Sequence, residues 1–346
     1  MSRNDPSLVI RNADLDAAVK AGIFDEATAT RLVAYVSQGH VALDSDNENL
    51  RLLTGFNDIF VVIGLALFLG ALHFIAPGIS LYATPLVAWG LAEIFTRRMR
   101  MALPSIVLLL VFVGSIFTLV MGLWGSSTAV QTGAYGDLSS MGFLLAAIVS
   151  ALAAALHWWR FHVPITFAAG MAALAAILVF GLDTIFPGLL KATGGLIVLP
   201  LGIVVFFVAM YFDSQDRARR TQLSDRAFWL HLLAAPMIVH PLVWNMTQVS
   251  ALSTVDAGLI ILLFAVLASV ALVVDRRALL VSSLLYLGYA LSTFIGARAF
   301  GAEGAGLAVL LVGGIVLLLS VAWKPLRRAV VSALPARITN LVPLPA

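Results

Sequence analysis

From residue 58 onward the chain is divided into ten apolar runs, at 58–77, 80–96, 102–124, 139–157, 163–180, 193–212, 228–246, 255–274, 278–297 and 305–323. A run of about 18 or more apolar residues matches the hydrocarbon thickness of a bilayer. Inside that layer each spanning segment must satisfy its own backbone N–H and C=O groups, and runs this long and continuous do not suit the strands of a membrane barrel. The pattern predicts an all-α, polytopic membrane bundle of about ten transmembrane helices. Charged residues make up 11% of the chain, against about 25% in a soluble domain. A water-facing surface cannot be built from that balance.

The loops set the orientation. Of the 21 Lys and Arg residues, nineteen fall on one side when alternate loops are assigned to one face of the membrane, and only Lys191 and Arg298 fall on the other. Short cytoplasmic loops carry such an excess, so the expectation is N-in/C-in, with residues 51–346 forming the membrane domain and its short cytoplasmic tail. Trp124, Trp158, Trp159, Trp229, Trp244 and Trp323 lie near run ends, where an amphipathic ring prefers the interface, and Trp89 lies inside a run. Cysteine is absent, which excludes disulfides and thiolate chemistry. No cleavable signal peptide is expected, because the segment before the first run is polar.

Residues 1–50 differ in kind. They hold eight acids (Asp5, Asp14, Asp16, Asp25, Glu26, Asp44, Asp46, Glu48) and four bases (Arg3, Arg11, Lys20, Arg31). Asn12 or Asp14 suits the cap of a short helix ending at Gly22, and Asp25 suits the cap of a second helix carrying Leu32, Val33 and Val36. The expectation is a cytoplasmic acidic helical hairpin with a polar linker from about residue 44 to 49. Its acidity argues against nucleic acid, because phosphate contacts need cations, and favours docking of a cytoplasmic protein partner. The order Leu15, Ala18, Gly22, Ile23, Ala27, Arg31, Leu32 and Tyr35 resembles the opening of the DUF2157 family of bacterial membrane proteins. That resemblance implies a bacterial inner-membrane protein with a cytoplasmic head before a helical bundle, and it brings no activity with it.

Few side chains in the runs offer chemistry. Asp58, Glu93 and Asp256 lie within about a turn of run ends, and Glu93 stands four residues before Arg97, the spacing of an intrahelical pair. His73, His157 and His162 also fall near run ends. The seventh run holds His231, Pro236, His240 and Pro241. At 1.5 Å per residue His240 lies about 18 Å from Phe228, inside the hydrocarbon. Its two prolines are expected to break or kink the helix, as in the discontinuous helices that build transporter sites. In the ninth run Ser282, Tyr286, Tyr289 and Thr293 share one polar stripe, beside a small-residue stripe of Gly288, Ser292 and Gly296. His231, nine residues before His240, falls on the opposite face and is expected about one turn from the cytoplasmic interface.

Metalloprotease, hydrolase-elbow and phosphate-loop signatures are all missing, and the sequence predicts no enzyme, no cofactor and no metal site. Two functional readings remain. One is a transporter-like permease for a small solute, with a pathway between the seventh and ninth helices lined by His240, Tyr286, Tyr289, Ser282, Thr293, Pro236 and Pro241. The other is a membrane scaffold whose N-terminal hairpin docks a partner. Dividing the membrane part into five and five helices gives inverted halves, with Pro85 in the second run answering Pro236 and Pro241 in the seventh. Ala146, Ser150 and Ala154 answer the small stripe of the ninth. That layout resembles drug/metabolite transporters, although Pro200 in the sixth run has no counterpart in the first.

Overall fold

The computed structural model describes residues 15, 18–23, 25–33, 56–125, 140–217, 219, 221–248, 253–295 and 297–335. The expected caps Asn12 and Asp14, the positions Tyr35 and Val36, and the linker at 44–49 lie outside them. The chain divides into two units, residues 1–49 and 50–345. In the first, residues 18–20 and 26–33 are helical. Gly22 ends the first helix with φ +69°, a left-handed conformation, and the Ile23 amide donates to the Ala18 carbonyl across the turn. Asp25 caps the second helix by accepting from the Thr28 amide at 3.1 Å.

Among the described residues the second unit is a bundle with, besides a single turn at Leu189–Ala192, ten helices of sixteen residues or more. They are α1 (Phe56–Ile75), α2 (Pro77–Ala92), α3 (Ala102–Trp124), α4 (Ser140–Phe161), α5 (Thr166–Ile185), α6 (Val198–Gln215), α7 (Gln222–Gln248), α8 (Thr254–Val274), α9 (Ala278–Phe294) and α10 (Ala297–Ser332). Among the described residues nine helices are long and apolar enough to cross a bilayer, and α9 is a shorter apolar helix. The protein is thus an all-α, multi-pass membrane bundle. The largest departure from the sequence expectation is α10, expected over 305–323 and running from Ala297 to Ser332; elsewhere local chemistry sets several of the helix ends. Pro164 delays α5 to Thr166, and the left-handed Gly194 and Gly195 delay α6 to Val198. Pro77 stands at the first position of α2, where its missing amide has no partner to lose. The last turn of α2, Glu93–Arg98, is wound as a π-helix. A reciprocal capping box between Ser253 and Asp256 starts α8.

On the arginine-rich side the connections are tight. Among the described residues each of the turns α2–α3, α4–α5, α6–α7 and α8–α9 contains one non-glycine residue with positive φ: Arg100, His162, Arg219 and Asp275. Such a conformation costs roughly 1–2 kcal/mol per residue, so these turns need support from their surroundings.

Small residues let the helices approach. Ala88 and Ala92 of α2 pack with Leu65, Leu108, Phe112 and Ala153, joining α1 to α4. α7 lies at the centre of the second half. Its Leu230 and Ala234 pack with Ala168 of α5 and with Val205 and Ala209 of α6, while Val239 and Val243 pack with α8 and Ala290 of α9. The backbones of α6 and α7 come close at Gly202 of α6, where a Cβ would stand 2.8 Å from the Met237 Cβ and 2.9 Å from its carbonyl carbon. Gly288 of the ninth helix's small stripe faces Val312 of α10.

Of the break or kink expected in the seventh helix, the break is corrected: α7 runs without interruption through Pro236 and Pro241. Each proline removes one backbone donor, and packing of α7 against α6 and α9 outweighs those losses.

Candidate functional site

A cleft of about 730 Å³ opens between the end of α5, the connection from Gly188 to Gly195, the start of α6 and the second half of α7. Pro236, Met237, His240, Pro241 and Trp244 form its α7 wall, while Lys191 and Asp183 supply its charged groups. Its other walls are glycine backbone and aliphatic side chains. Asp183 accepts from the Leu190 amide at 2.7 Å and from the Ser140 hydroxyl, so its carboxylate pins the connection to α5 and to the start of α4. The wall bearing Lys191 is therefore held in place. Val198 lines the cleft, and one turn further along α6 the Gly202–Met237 contact brings α6 and α7 together beneath it.

Of the residues singled out from sequence, His240, Pro236 and Pro241 line this cleft. Tyr286 meets His240 through a hydrogen bond between its hydroxyl and Nδ1, which fixes the ring from α9, and the Trp244 ring lies tilted beside it with centroids 5.4 Å apart. The structure does not bring the remaining stripe to the cleft. Tyr289 is 43% exposed and is not among the lining residues. Thr293 turns back to donate to the Tyr289 carbonyl at 3.2 Å, and the Ser282 side chain lies outside the described residues. The cleft thus sits on the α5–α6 side of α7, and α9 contributes the hydrogen bond that orients His240.

Sequence reasoning expected almost no charge inside the bundle, and the structure corrects this. Asp213 of α6 is 0% exposed, and Arg276, in the turn between α8 and α9, is 2% exposed. Arg276 grips both oxygens of Asp213, with Nε 3.2 Å from Oδ2, and its Nη2 also donates to the Ser224 hydroxyl at 2.9 Å and the Ser224 carbonyl at 3.1 Å. His231, expected about one turn from the cytoplasmic interface, is 0% exposed, with Nε2 3.0 Å from Asp213 Oδ2. A second knot lies beside the first. Arg219 donates to the carboxylate and carbonyl of Asp275 and to the Val274 carbonyl, and Trp323 of α10 donates its indole N–H to Asp275 at 2.7 Å. The two left-handed residues Arg219 and Asp275 support each other's turns.

Other polar residues also differ from expectation. Glu93 keeps the expected Arg97 contact at 3.4 Å, but its stronger partner is Arg160 of α4, which binds both carboxylate oxygens at 2.7 and 2.9 Å. Asp58 and His157 are buried. His157 sits among Trp89, Phe112 and Phe161, with Nδ1 3.3 Å from the Thr166 hydroxyl. Among the described residues no group of three metal-ligating side chains forms.

Fold and site together define a multi-pass integral membrane protein with a mostly apolar cleft bearing Lys191, Asp183 and His240 at the far half of α7 and a buried ionic knot at its near end. Compared with known proteins, the chain matches no family model, no curated protein and no solved structure.

Proposed function

We propose that this protein is a bacterial inner-membrane permease that binds a small solute in the α5–α6–α7 cleft. The observation that carries the reading is the cleft itself: about 730 Å³ falls inside the 300–1,000 Å³ typical of small-molecule sites. Such sites combine a mostly apolar wall with a few fixed polar groups, and here those are Lys191 and a His240 ring oriented by Tyr286. The protein acts on its solute by moving it and carries out no covalent step. Its N-terminal hairpin, with its resemblance to the DUF2157 family, faces the cytoplasm.

The test is a binding screen on purified protein in nanodiscs against pooled metabolites from a deletion strain and its parent. A solute that stabilises the protein should lose about tenfold or more in affinity on Lys191→Ala or His240→Ala, a change of about 1.4 kcal/mol or more. Both variants should keep the unliganded melting temperature. If no solute binds, or if binding ignores both substitutions, the reading fails. A second reading, a scaffold that docks a cytoplasmic partner, is favoured by one feature: Ile23, Leu32 and Val33 of the N-terminal unit are exposed.

A further inference from the structure

His231 satisfies only half of its ring. Asp213 can only accept when ionised, so the 3.0 Å contact makes Nε2 the protonated nitrogen. Nδ1 is then a lone pair, and it is buried with no hydrogen-bond partner. A merely structural donor to Asp213 has no use for a second ring nitrogen held away from every donor. A proton acceptor has one.

The charged groups facing His231 are Asp213 from α6, Arg276 from the α8–α9 turn and Arg219 from the α6–α7 connection. On α7 itself Asp225 lies nearer the helix start and faces Arg276, and Arg226 beside it lies over the Trp158 and Phe167 rings. The other helices packed on α7 carry their titratable groups elsewhere: Asp183 on α5, and Tyr286 and Tyr289 on α9, belong to the half containing His240, about 13 Å along the helix. Asp256 of α8 stands at that helix's opposite end. Next to His231, then, one carboxylate is shared with one guanidinium, and Arg219 is already paired with Asp275.

We infer that His231 is a proton-binding site and that its occupancy releases the Asp213–Arg276 latch. A proton from the aqueous phase joins Nδ1, and no other bond is made or broken covalently. The resulting imidazolium and Arg276 then compete for a single carboxylate. Like charges held together in a dry site repel, and Arg276, carried on a turn, is the partner that leaves. Asp213 stays with the imidazolium. Because Asp213 and His231 belong to the α6–α7 hairpin while Arg276 belongs to the α8–α9 turn, release removes one of the two ionic links between the hairpins at the arginine-rich end, leaves the Arg219–Asp275 link as the hinge, and loosens the packing beside it. The use of that opening for solute exit rests on the permease reading, whereas the proton site does not.

The chain has no cysteine, so a single reporter thiol can be read cleanly. Ala227, fully buried between Ser224 and His231, and Ala278, buried at the start of α9, are the reporter positions. Each Ala→Cys chain is placed in nanodiscs, with and without His231→Gln, which keeps an N–H donor for Asp213 but cannot titrate. Maleimide labelling is followed from about pH 8 to about pH 5, the range over which histidine charges. Dividing the rate by that of the His231→Gln partner removes the pH dependence of the thiol itself. The ratio should rise by about tenfold or more as pH falls, a shift of about 1.4 kcal/mol or more in the opening equilibrium. A flat ratio at both positions overturns the proposal. If His231→Gln does not fold, histidine-ring NMR of the unaltered chain reads the same site. A His231 ring that keeps one neutral tautomer throughout also overturns it. A rising ratio in a protein that binds no solute would keep the proton site and sink the permease reading instead.

Discussion

Arg276→Ala tests the ionic knot most directly. Arg276 makes four hydrogen bonds, two to Asp213 and two to Ser224, and both charged partners are excluded from solvent. Removing the guanidinium leaves the Asp213 carboxylate buried with His231 as its remaining partner. Truncating one side of a buried pair costs about 3–5 kcal/mol, because an uncompensated charge stays behind. That exceeds the about 0.6 kcal/mol typical of a single interhelical hydrogen bond in a membrane, because a buried charge loses its countercharge along with the hydrogen bonds. Asp213→Ala should cost a similar amount, and the double variant less than the sum, with a coupling of about 2–3 kcal/mol. Arg276→Lys should fall between, since an ammonium keeps the charge but loses the planar fork. Equilibrium unfolding in mixed micelles reads all four. A loss below about 1 kcal/mol for Arg276→Ala, or a strictly additive double variant, would mean that water reaches the carboxylate and that the knot is not buried.

Reporter fusions after Arg100 and Arg220 should give cytoplasmic signals, and fusions at Gln131 and Thr247 external ones; a cytoplasmic signal from Gln131 would break the assigned orientation. Gly202→Val should destabilise the protein by about 1–3 kcal/mol in a thermal melt, because its Cβ falls within 3.0 Å of the Met237 backbone, and an unchanged melt would show that α6 and α7 are not in contact there. Deleting residues 1–45, which belong to a separate unit, should leave an inserted bundle with the melting temperature of the full chain, and rapid degradation of the truncated protein would count against that independence.

The spans were legible because a bilayer leaves so few choices: an uninterrupted apolar run has to be a helix, and its length counts in residues. The Asp25 cap and the Gly22 stop were legible for the same kind of local reason, since each needs only its own neighbours within a few positions. His240 was found because a histidine between two prolines in an apolar run is conspicuous on its own.

The knot was not legible. Asp213 lies one residue past the expected end of its run, Arg276 lies in a three-residue gap between runs, and His231 was expected about one turn from an interface; read along the chain, all three look like groups that reach water. Their partnership joins positions separated by 18 and 63 residues, and no periodicity relates such distances. Whether a charge at a helix end is solvated depends on whether neighbouring helices extend far enough to cover it. That is a matter of how the ends pack. The same limit explains the cleft. Sequence located His240 on its helix, but only the tertiary structure decided that Lys191 and the pinned Gly188–Gly195 connection face it, while Tyr289, nominated from the same stripe as Tyr286, points elsewhere.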